Sequence, residues 1–419
     1  MAKLIIDGAR PLSGTIKVGG NKNAVLPLMA ACLLTDEPCV LTNVPSIQDV
    51  AVMAELLTGL GVVVSGIGSG SLRIHAKHVD PLKLDQDLVA KLRASVLFFG
   101  PLLARTSSIS MRHPGGCIIG RRGIDTHIEA LDALGATLTI GRGMYYVTTD
   151  RLVGASLFLS ETSVTGTENA VMAAVTAKGH TVIRNAASEP HVQALCQFLN
   201  AMGGNIQGIG SNVLTIDGVD ALHGASMDVP PDHIEAGTWI VAAAITKGDV
   251  EITGVQMDDL EKILLTYRAF GVKIDIGNNA LHVRPSELRA LRKVETNVWP
   301  GFPTDLMSVT IALATQAKGT TLCHDWMYEG RMFFVDKLIQ MGANIILSDP
   351  HRALVTGPTP LRGKDIDSPD LRAGMALILA ALSASGQSTI ERAELIDRGY
   401  EKVDERLRSL GGHVERVED

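Results

Sequence analysis

The stretch LLTGLGVVV at positions 56–64 decides how this sequence of 419 residues is read. An apolar, helix-like segment ends at a glycine, Gly61, and a β-branched segment typical of a strand follows at once. The same arrangement returns five more times, at intervals of 68 to 74 residues, with its glycine at Gly135, Gly203, Gly271, Gly342 and Gly411. Six units of about 70 residues fill the chain, which predicts a repeat architecture.

A second feature of the sequence recurs with the same spacing as the repeat glycines. An apolar helical segment precedes each repeat glycine and opens, in chain order, at Lys22, Arg93, Gly166, Asp232, Asp305 and Arg372. Each unit therefore reads as strand, helix, strand, helix, strand, strand, and the repeat glycine suits a left-handed cap on the second helix. Units of this size cannot bury their apolar faces alone, so six could form a solenoid, a propeller-like ring or two domains of three units.

Three of these helix openings carry cations, which the helix dipole disfavours at that end. Helix capping accounts for Asp232 and is one explanation for Asp305, but it accounts poorly for Lys22, Arg93 and Arg372. If the helix starts converge, their free N–H groups and cations would form a site for phosphate or carboxylate groups.

Composition narrows the class of protein. The chain is 46% hydrophobic and 20% charged, so it can bury a large core, and its net charge of −7 argues against a general binder of nucleic acid or anionic membrane. The opening MAKLIIDG lacks the apolar core of a signal peptide, and the apolar stretch 373–386 is too short to span a bilayer, so we expect a cytoplasmic protein. No cysteine or histidine spacing suggests a metal site, and Cys32 and Cys196 lie in apolar helical segments as expected of core residues.

One cysteine does not fit that pattern. In HPGGCIIGRRGIDTH, positions 113–127, Cys117 follows two glycines and precedes the basic pair Arg121 and Arg122. Glycines permit a mobile loop, and nearby cations favour the reactive thiolate, so the segment has the features of a reactive loop.

The repeats and several short motifs together resemble the enolpyruvyl transferases. The motifs are GGNKNA at 19–24, PGGCIIGRR at 114–122, FPTD at 302–305, DLRAG at 370–374 and IDRGYE at 396–401. The resemblance covers essentially the whole chain. It implies an α/β fold of six βαβαββ-like repeats arranged as a two-domain inside-out α/β barrel. It also implies one domain at 22–228 that carries the cysteine loop, a second at 1–21 plus 229–419, and an active site in the cleft between them.

The implied reaction moves the enolpyruvyl group of phosphoenolpyruvate to the 3-hydroxyl of UDP-N-acetylglucosamine and releases phosphate. It proceeds by addition and elimination, needs no metal or organic cofactor, and opens peptidoglycan synthesis. The resemblance makes Cys117 the general acid toward C3 of phosphoenolpyruvate, able also to form a covalent adduct with it and to be alkylated by fosfomycin. It makes Asp305 the candidate general base beside the acceptor hydroxyl and Asp370 a second acid that manages proton flow. Lys22 and Arg398 are expected to hold phosphoenolpyruvate.

The resemblance also implies a set of substrate-binding residues, most of them around the nucleotide sugar. They are Lys22, Asn23, Arg93, Arg122, Gly123, Ile124, Asp125, Thr126, Thr162, Ser163, Val164, Thr165, Gly166, Asp305, Met327, Arg372 and Arg398. Two positions depart from the family pattern, which commonly has proline at Gly123 and in some members lysine at Thr162. The second departure removes a positive charge from the expected diphosphate-binding turn. His127 lies nearby, and Glu189 and Glu329 are weaker candidates.

Two other hypotheses stay open on the sequence. One is a non-catalytic paralogue that only binds a nucleotide sugar, which loss of Cys117, Lys22 or Asp305 would have favoured. The other is an enolpyruvyl transferase with a different acceptor alcohol, for which Gly123 and Thr162 leave some room.

Overall fold

The computed structural model describes residues 2–116 and 119–418. Its strands are β1 Ala2–Asp7, β2 Ser13–Lys17, β3 Pro38–Thr42, β4 Val63–Ser65, β5 Ser71–His75, β6 Ser108–Arg112, β7 Thr137–Gly141, β8 Met144–Thr148, β9 Ser156–Phe158, β10 His180–Arg184, β11 Asn205–Gln207, β12 Val213–Asp217, β13 Ser226–Asp228, β14 Asp249–Thr253, β15 Lys273–Ile276, β16 Ala280–Arg284, β17 Lys293–Glu295, β18 Gly319–His324, β19 Asn344–Asp349, β20 Arg352–Gly357, β21 Asp365–Asp367, β22 Gln387–Glu391 and β23 His413–Glu418. Its helices are α1 Lys22–Ala31, α2 Gln48–Gly59, α3 Gln86–Val89, α4 Phe99–Thr106, α5 Asp125–Ala133, α6 Val164–Ala174, α7 Pro190–Ala201, α8 His233–Ile245, α9 Glu261–Ala269, α10 Met307–Ala314, α11 Val335–Gln340, α12 Leu371–Ser383 and α13 Val403–Ser409.

Six separate sheets hold the described strands, one for each repeat. Their strand orders are β13-β3-β5-β4, β6-β8-β7, β9-β10-β12-β11, β2-β14-β16-β15, β17-β18-β20-β19 and β21-β22-β1-β23. Every four-stranded sheet has one parallel pair at an edge and antiparallel pairs beyond it. The α/β repeat prediction is therefore confirmed, except that the second repeat lacks its first strand. None of the described sheets closes into a barrel.

The first two strands do not pair with the repeat that follows them. β1 lies between β22 and β23, with Ile5 opposite both Thr389 and Glu415, and β2 pairs in parallel with β14. The side chains of Leu4 and Ile6 alternate into the core and are fully buried. The N-terminal segment thus completes sheets of the fourth and sixth repeats, while β13 completes the sheet of the first repeat.

The contacts divide the described chain into two compact units. Unit 1 contains residues 2–19, 119–121 and 231–418, and unit 2 contains 20–116 and 122–230. The contacts group residues 119–121 with unit 1, whereas the boundaries expected from the resemblance assign that whole loop to the domain 22–228. Those expected boundaries, and the cleft between the domains, stay a prediction.

Central helices bury the apolar residues of each unit. In unit 1, α8, α10 and α12 pack on one another, and nearly every residue of the three is buried, which explains why their sequences are apolar all round. In unit 2, α6 packs on α4 and α5, and α1 packs on α7. Cys32 and Cys196 are buried in the core of unit 2, as predicted.

The repeat glycines have the conformation that the sequence predicts. All six have positive φ, between 84° and 102°, directly after a helix and a single capping residue. That region is open to glycine at little cost but strained for other residues. No helix in the described part of the chain is long and apolar enough to cross a membrane.

Candidate active site

In unit 2, the first helix start presents Lys22 and Asn23. Asn21 caps α1, because its side chain accepts hydrogen bonds from the backbone N–H of Asn23 and Ala24. Lys22 lies in the first turn, and its Nζ is 2.7 Å from Oδ2 of the buried Asp49. The carboxylate therefore offsets the unfavourable position of a cation at a helix start. Lys22 is fixed in place by an ion pair rather than held in solvent.

Arg93 opens the second repeat's helical segment, at the start of a 3-10 turn that spans Arg93–Phe98. Its Nη2 donates to the carbonyl of Gly123 at 2.8 Å, so it bridges two segments that the resemblance assigns to the nucleotide sugar. Gly116 passes close by, and a Cβ there would lie 2.7 Å from the Cβ of Arg93. The absence of a side chain lets Gly116 approach Arg93.

Two further helix starts of unit 2 pack against each other. α5 begins at Asp125 and α6 at Val164, and a Cβ on Gly166 would lie 3.1 Å from Cγ2 of Thr126. Ser163 caps α6, because its Oγ accepts a hydrogen bond from the N–H of Gly166 at 3.2 Å. The expected uridine and diphosphate segments, 122–126 and 162–166, therefore lie side by side. Thr162 is oriented differently, since its hydroxyl donates to Oδ1 of Asn185 at 2.7 Å.

His127 joins these two helix starts. Its Nε2 is 2.8 Å from Oγ1 of Thr165, and the ring is almost completely buried. Burial, and then the positive charge of Arg93, lower the pKa of His127 to about 3, so the imidazole is neutral at physiological pH.

In unit 1, Asp305 lies in a 3-10 turn, Thr304–Leu306, just before α10. Its two carboxylate oxygens accept separate hydrogen bonds, Oδ1 from Nη2 of Arg331 at 3.1 Å and Oδ2 from Nη2 of Arg372 at 2.8 Å. The capping explanation for Asp305 is wrong, because Pro303 occupies the N-cap position of this turn and Leu306 that of α10. It is confirmed for Asp232, which caps α8.

Asp370 and Arg372 belong to the start of α12. Oδ1 of Asp370 accepts from the N–H of Arg372 and of Ala373, so this residue is a helix cap in the structure. Arg372 is buried, and its guanidinium carbon lies 5.4 Å from the centre of the Tyr400 ring. Burial alone would lower the pKa of Arg372, but Asp305 and then Tyr400 outweigh it and raise that pKa above its ordinary value. Arg372 is therefore a fixed cation.

The sequence analysis missed two residues that hold this arrangement. Arg331 is buried, and Asp325 is completely buried and accepts hydrogen bonds from Thr304 Oγ1 and from the N–H of Met327. Neither opens a helix, so the in-phase pattern could not single them out. The remaining signal is chemical, because Arg331 in the stretch YEGRMFF is a charged residue within an aromatic and apolar segment.

Met327 and Arg398 lie in turns of unit 1 and are partly exposed. Met327 follows β18, and Arg398 precedes α13. The structure thus brings together Asp305, Arg331 and Arg372 by direct hydrogen bonds. The role of Arg398 stays a prediction.

Cys117 lies outside the described residues, but its loop is described on both sides. On one side, a Cβ at Gly115 would lie 1.6 Å from the carbonyl oxygen of Ala90, so only glycine can take this position. On the other, the N–H of Arg121 donates to Oε1 of Glu329 at 2.8 Å, and the N–H of Gly330 donates to the carbonyl of Ile119 at 2.9 Å. Glu329 thereby anchors the end of the loop, and this hydrogen bond lowers its pKa. Glu189 lies instead beside the buried Glu168, whose pKa is raised by burial and by Glu189.

The described residues contain no cluster of three or more histidine, cysteine, aspartate or glutamate side chains that could hold a metal ion. The candidate site residues instead provide cations, helix N-termini and one carboxylate between two guanidinium groups. Such groups suit the binding of phosphate and carboxylate substrates and the removal of a proton from a hydroxyl.

Comparison with known proteins identifies the family to which the chain belongs. The family model of EPSP synthase (3-phosphoshikimate 1-carboxyvinyltransferase) matches residues 6–407. The chain belongs to the enolpyruvyl transferase family. Among curated members of that family, UDP-N-acetylglucosamine 1-carboxyvinyltransferase of Treponema pallidum is 48% identical over 98% of both chains. The protein of that name from Treponema denticola is 45% identical over all of both chains.

Solved structures show that the chain also has the fold of the enolpyruvyl transferases. The enolpyruvyl transferase NikO from Streptomyces tendae superposes with a TM-score of 0.89 at 24% identity, covering 99% of both chains. EPSP synthase from Acinetobacter baumannii superposes with a TM-score of 0.76 at 20% identity, covering 100% of both chains. The predicted family and fold are thereby confirmed.

Proposed function

We propose that this chain transfers the enolpyruvyl group of phosphoenolpyruvate to the 3-hydroxyl of UDP-N-acetylglucosamine and releases phosphate. The observation that carries the proposal is the identity of 45 to 48%, over essentially the full length, to relatives named for that reaction. The non-catalytic paralogue has no support, because Cys117, Lys22 and Asp305 are all present. The cytoplasmic location stays a prediction.

In unit 1, the proposed base is Asp305. Two guanidinium groups donate to its two oxygens and hold it in one orientation, which is the positioning that abstraction of a proton from a hydroxyl needs. The same guanidinium groups, on Arg331 and Arg372, suit the carboxylate or phosphate of phosphoenolpyruvate, since a planar fork binds such groups in a bidentate manner. An anion that takes over these bonds would free an oxygen of Asp305 to accept the proton. Asp370 and Arg398 are proposed to assist with proton flow and phosphate binding.

The addition step forms a bond between O3 of the sugar and C2 of phosphoenolpyruvate while C3 gains a proton, for which Cys117 is the proposed acid. The elimination step removes a proton from C3, breaks the bond between C2 and the phosphate oxygen, and restores the double bond. In unit 2, Lys22 and Arg122 are the proposed cations for the leaving phosphate. The segments 122–126 and 162–166, with Arg93, are proposed to hold the nucleotide.

Phosphate release from phosphoenolpyruvate tests the proposal. Wild type is expected to release phosphate only when UDP-N-acetylglucosamine is also present, and the Cys117→Ala variant is expected to lose that release. The Cys323→Ala variant is a matched control, since Cys323 is a buried core cysteine of unit 1 to which no role in the reaction is assigned. Release that needs another acceptor alcohol, or no release from folded wild type, would refute the assigned substrate.

A further inference from the structure

The turn at 162–166 carries two threonines whose hydroxyl groups are in different states. The hydroxyl of Thr162 donates to Oδ1 of Asn185 at 2.7 Å. The amide of Asn185 cannot be turned around without loss, because its Nδ2 donates to the carbonyl of Leu159 at 2.9 Å. The proton of Thr162 is therefore committed inside unit 2. Ser163 Oγ accepts the capping hydrogen bond of α6, which leaves Thr165 as the other threonine hydroxyl of the turn that could meet a ligand.

The state of Thr165 depends on the ring of His127, whose Nε2 lies 2.8 Å from Oγ1 of Thr165. A neutral imidazole carries one proton, on Nδ1 or on Nε2. If the proton is on Nδ1, Nε2 accepts and the Thr165 hydroxyl is used up as a donor. If the proton is on Nε2, the ring donates to Oγ1 and the hydroxyl proton of Thr165 points elsewhere.

The surroundings of Nδ1 favour the second arrangement. Nδ1 is buried and has no hydrogen-bond partner within the described residues. The carbonyl of Ile124 lies close enough to the ring to raise the pKa of His127, but it already accepts from the backbone N–H of His127 at 3.0 Å and of Ile128 at 3.1 Å. The cavity beside the ring is lined mainly by apolar side chains, among them Phe99, Leu131, Leu138 and Val147. A proton on Nδ1 would thus be a buried donor whose nearby carbonyl is already shared by two backbone N–H groups and with which it makes no well-formed hydrogen bond, which is the costlier choice.

We propose that His127 is a positioning residue, which keeps its proton on Nε2 so that Thr165 is free to donate its own hydroxyl proton to a diphosphate oxygen. The inference rests on the proposed function, because the diphosphate is that of the nucleotide sugar. It also explains how the turn can bind an anion although Thr162 stands where some family members have a lysine. A neutral hydroxyl held in one orientation replaces a flexible charge, at the start of a helix whose free N–H groups favour anions.

Calorimetric binding of UDP-N-acetylglucosamine and of UDP tests the pair. The Thr165→Val variant is expected to raise both Kd values about tenfold, as is usual for the loss of a hydrogen bond to a charged group. The His127→Asn variant, whose amide cannot reach Thr165, is expected to do the same, and the double variant no more than either single one. Thr165→Ser keeps the hydroxyl, and His127→Gln offers an amide N–H near the place of Nε2, so both should bind within about twofold of wild type, a range that the same hydrogen-bond logic allows.

Two readouts separate this role from a structural one. The KM for phosphoenolpyruvate should stay unchanged in Thr165→Val while the KM for the nucleotide sugar rises. Nitrogen chemical shifts of a ¹⁵N-labelled imidazole should show His127 protonated on Nε2. Protonation on Nδ1 would overturn the inference, as would multiplicative losses in the double variant, or an unchanged Kd in Thr165→Val.

The outcomes also distinguish this inference from the proposed function. Wild type that binds UDP, shows the effects of both variants and yet releases no phosphate would leave the inference standing and refute the transfer reaction. Wild type that turns over both substrates, with variants that bind normally, would refute the inference alone. Wild type that binds neither nucleotide would refute both.

Discussion

Asp305 and the two arginines beside it illustrate why single residues of this site cannot be judged in isolation. Its side chain is 26% exposed, while those of Arg331 and Arg372 are 3% and 6% exposed. Buried cations are costly unless they are paired, so this carboxylate stabilises the arginines as much as they orient it. The proposed base is thereby kept at a fixed position, and we expect an anionic substrate to replace it as the partner of the two cations.

Selective alkylation is expected at Cys117. The cysteines in the described part of the chain, Cys32, Cys39, Cys196 and Cys323, are all buried. Burial raises the pKa of Cys196 and of Cys323 to about 12, whereas the hydrogen bond with Cys32 lowers the pKa of Cys39 to about 7. Cys39 is nevertheless fully buried, so the reagent cannot reach it in the folded chain. Fosfomycin should therefore add one adduct per chain, on the peptide that contains residues 113–127, and abolish phosphate release. Mass spectrometry of digested protein measures this.

The variant Cys117→Asp is the control for alkylation, since it removes the thiol and should carry no adduct at the same reagent concentration. Full activity in wild-type protein that is completely alkylated at Cys117 would contradict the proposed role of this residue.

The buried His127 should make unit 2 sensitive to acid. Its pKa is lowered to about 3 by burial and by Arg93, from an ordinary value of 6.5, so the unfolded chain takes up a proton below pH 6.5 that the folded chain refuses until about pH 3. Stability from this group is complete above pH 6.5 and is lost as the pH falls toward 3. Between pH 7 and 4.5 the wild type should lose roughly 2 kcal/mol more than His127→Gln. Hydrogen exchange of α5 and α6 peptides in urea, at both pH values, measures the difference.

Equal acid sensitivity in the wild type and in His127→Gln would show that the ring does not stay neutral when buried. The comparison is internal, because every other titrating group is common to the two proteins.

At the scale of elements, the repeat is defined by how its second helix stops. In the first repeat, α2 ends at Gly59, and Gly61 then takes φ of 95°. The backbone N–H of Gly61 donates to the carbonyl of Thr58, which satisfies an acceptor that the end of the helix would otherwise leave open. The same solution in all six repeats turns the chain from helix to strand without a longer loop.

Two glycines in one helix end allow a controlled test of that turn. Gly61→Ala is expected to lower the free energy of unfolding by about 1 kcal/mol, because the added side chain strains a left-handed backbone. Gly59→Ala is the matched control. It lies within α2, its added Cβ would meet nothing closer than 3.6 Å, and it should stabilise the chain by up to about 1 kcal/mol. Urea denaturation followed by hydrogen exchange in β4 and β5 measures both, and a change of the same sign in both variants would contradict the explanation.

Much of the element pattern could be predicted from the sequence, because the repeat glycines and the apolar helices are local signals that recur six times. The missing first strand of the second repeat could not be predicted, because no sequence motif indicates that a strand is missing. Arg331 and Asp325 were also beyond local pattern, because their importance comes from partners in another element, Asp305 at 26 residues and Thr304 at 21 residues along the chain. The placement of β1 and β2 entered only through the resemblance, since strand pairing across more than 200 residues leaves no periodic trace.

At the scale of the whole molecule, unit 1 depends on a segment from the other end of the sequence. Leu4 of β1 is fully buried in the core of unit 1 and pairs with Ile390 and Arg416. Leu4→Ala should therefore cost about 2–5 kcal/mol, as truncation of a buried leucine usually does. Hydrogen exchange should become faster in β22 and β23, while peptides from unit 2 keep their protection.

Lys3→Ala is the control, because Lys3 is only partly buried on the same strand and its truncation should leave the exchange of β22 and β23 near that of the wild type. Faster exchange spread equally over both units in Leu4→Ala would contradict the assignment of β1 to unit 1 alone.

The pairing of β1 and β2 also sets an order of events during synthesis. All of unit 2 lies between residues 20 and 230, so it can fold while the ribosome is still making the rest. The partners of β2 and β1 emerge much later, at Asp249–Thr253 for the one and at Gln387–Glu391 and His413–Glu418 for the other. The first residues to be synthesised are thus among the last to pair in a sheet. Until they pair, the apolar side chains of β1 and β2 must be kept from contact with other chains.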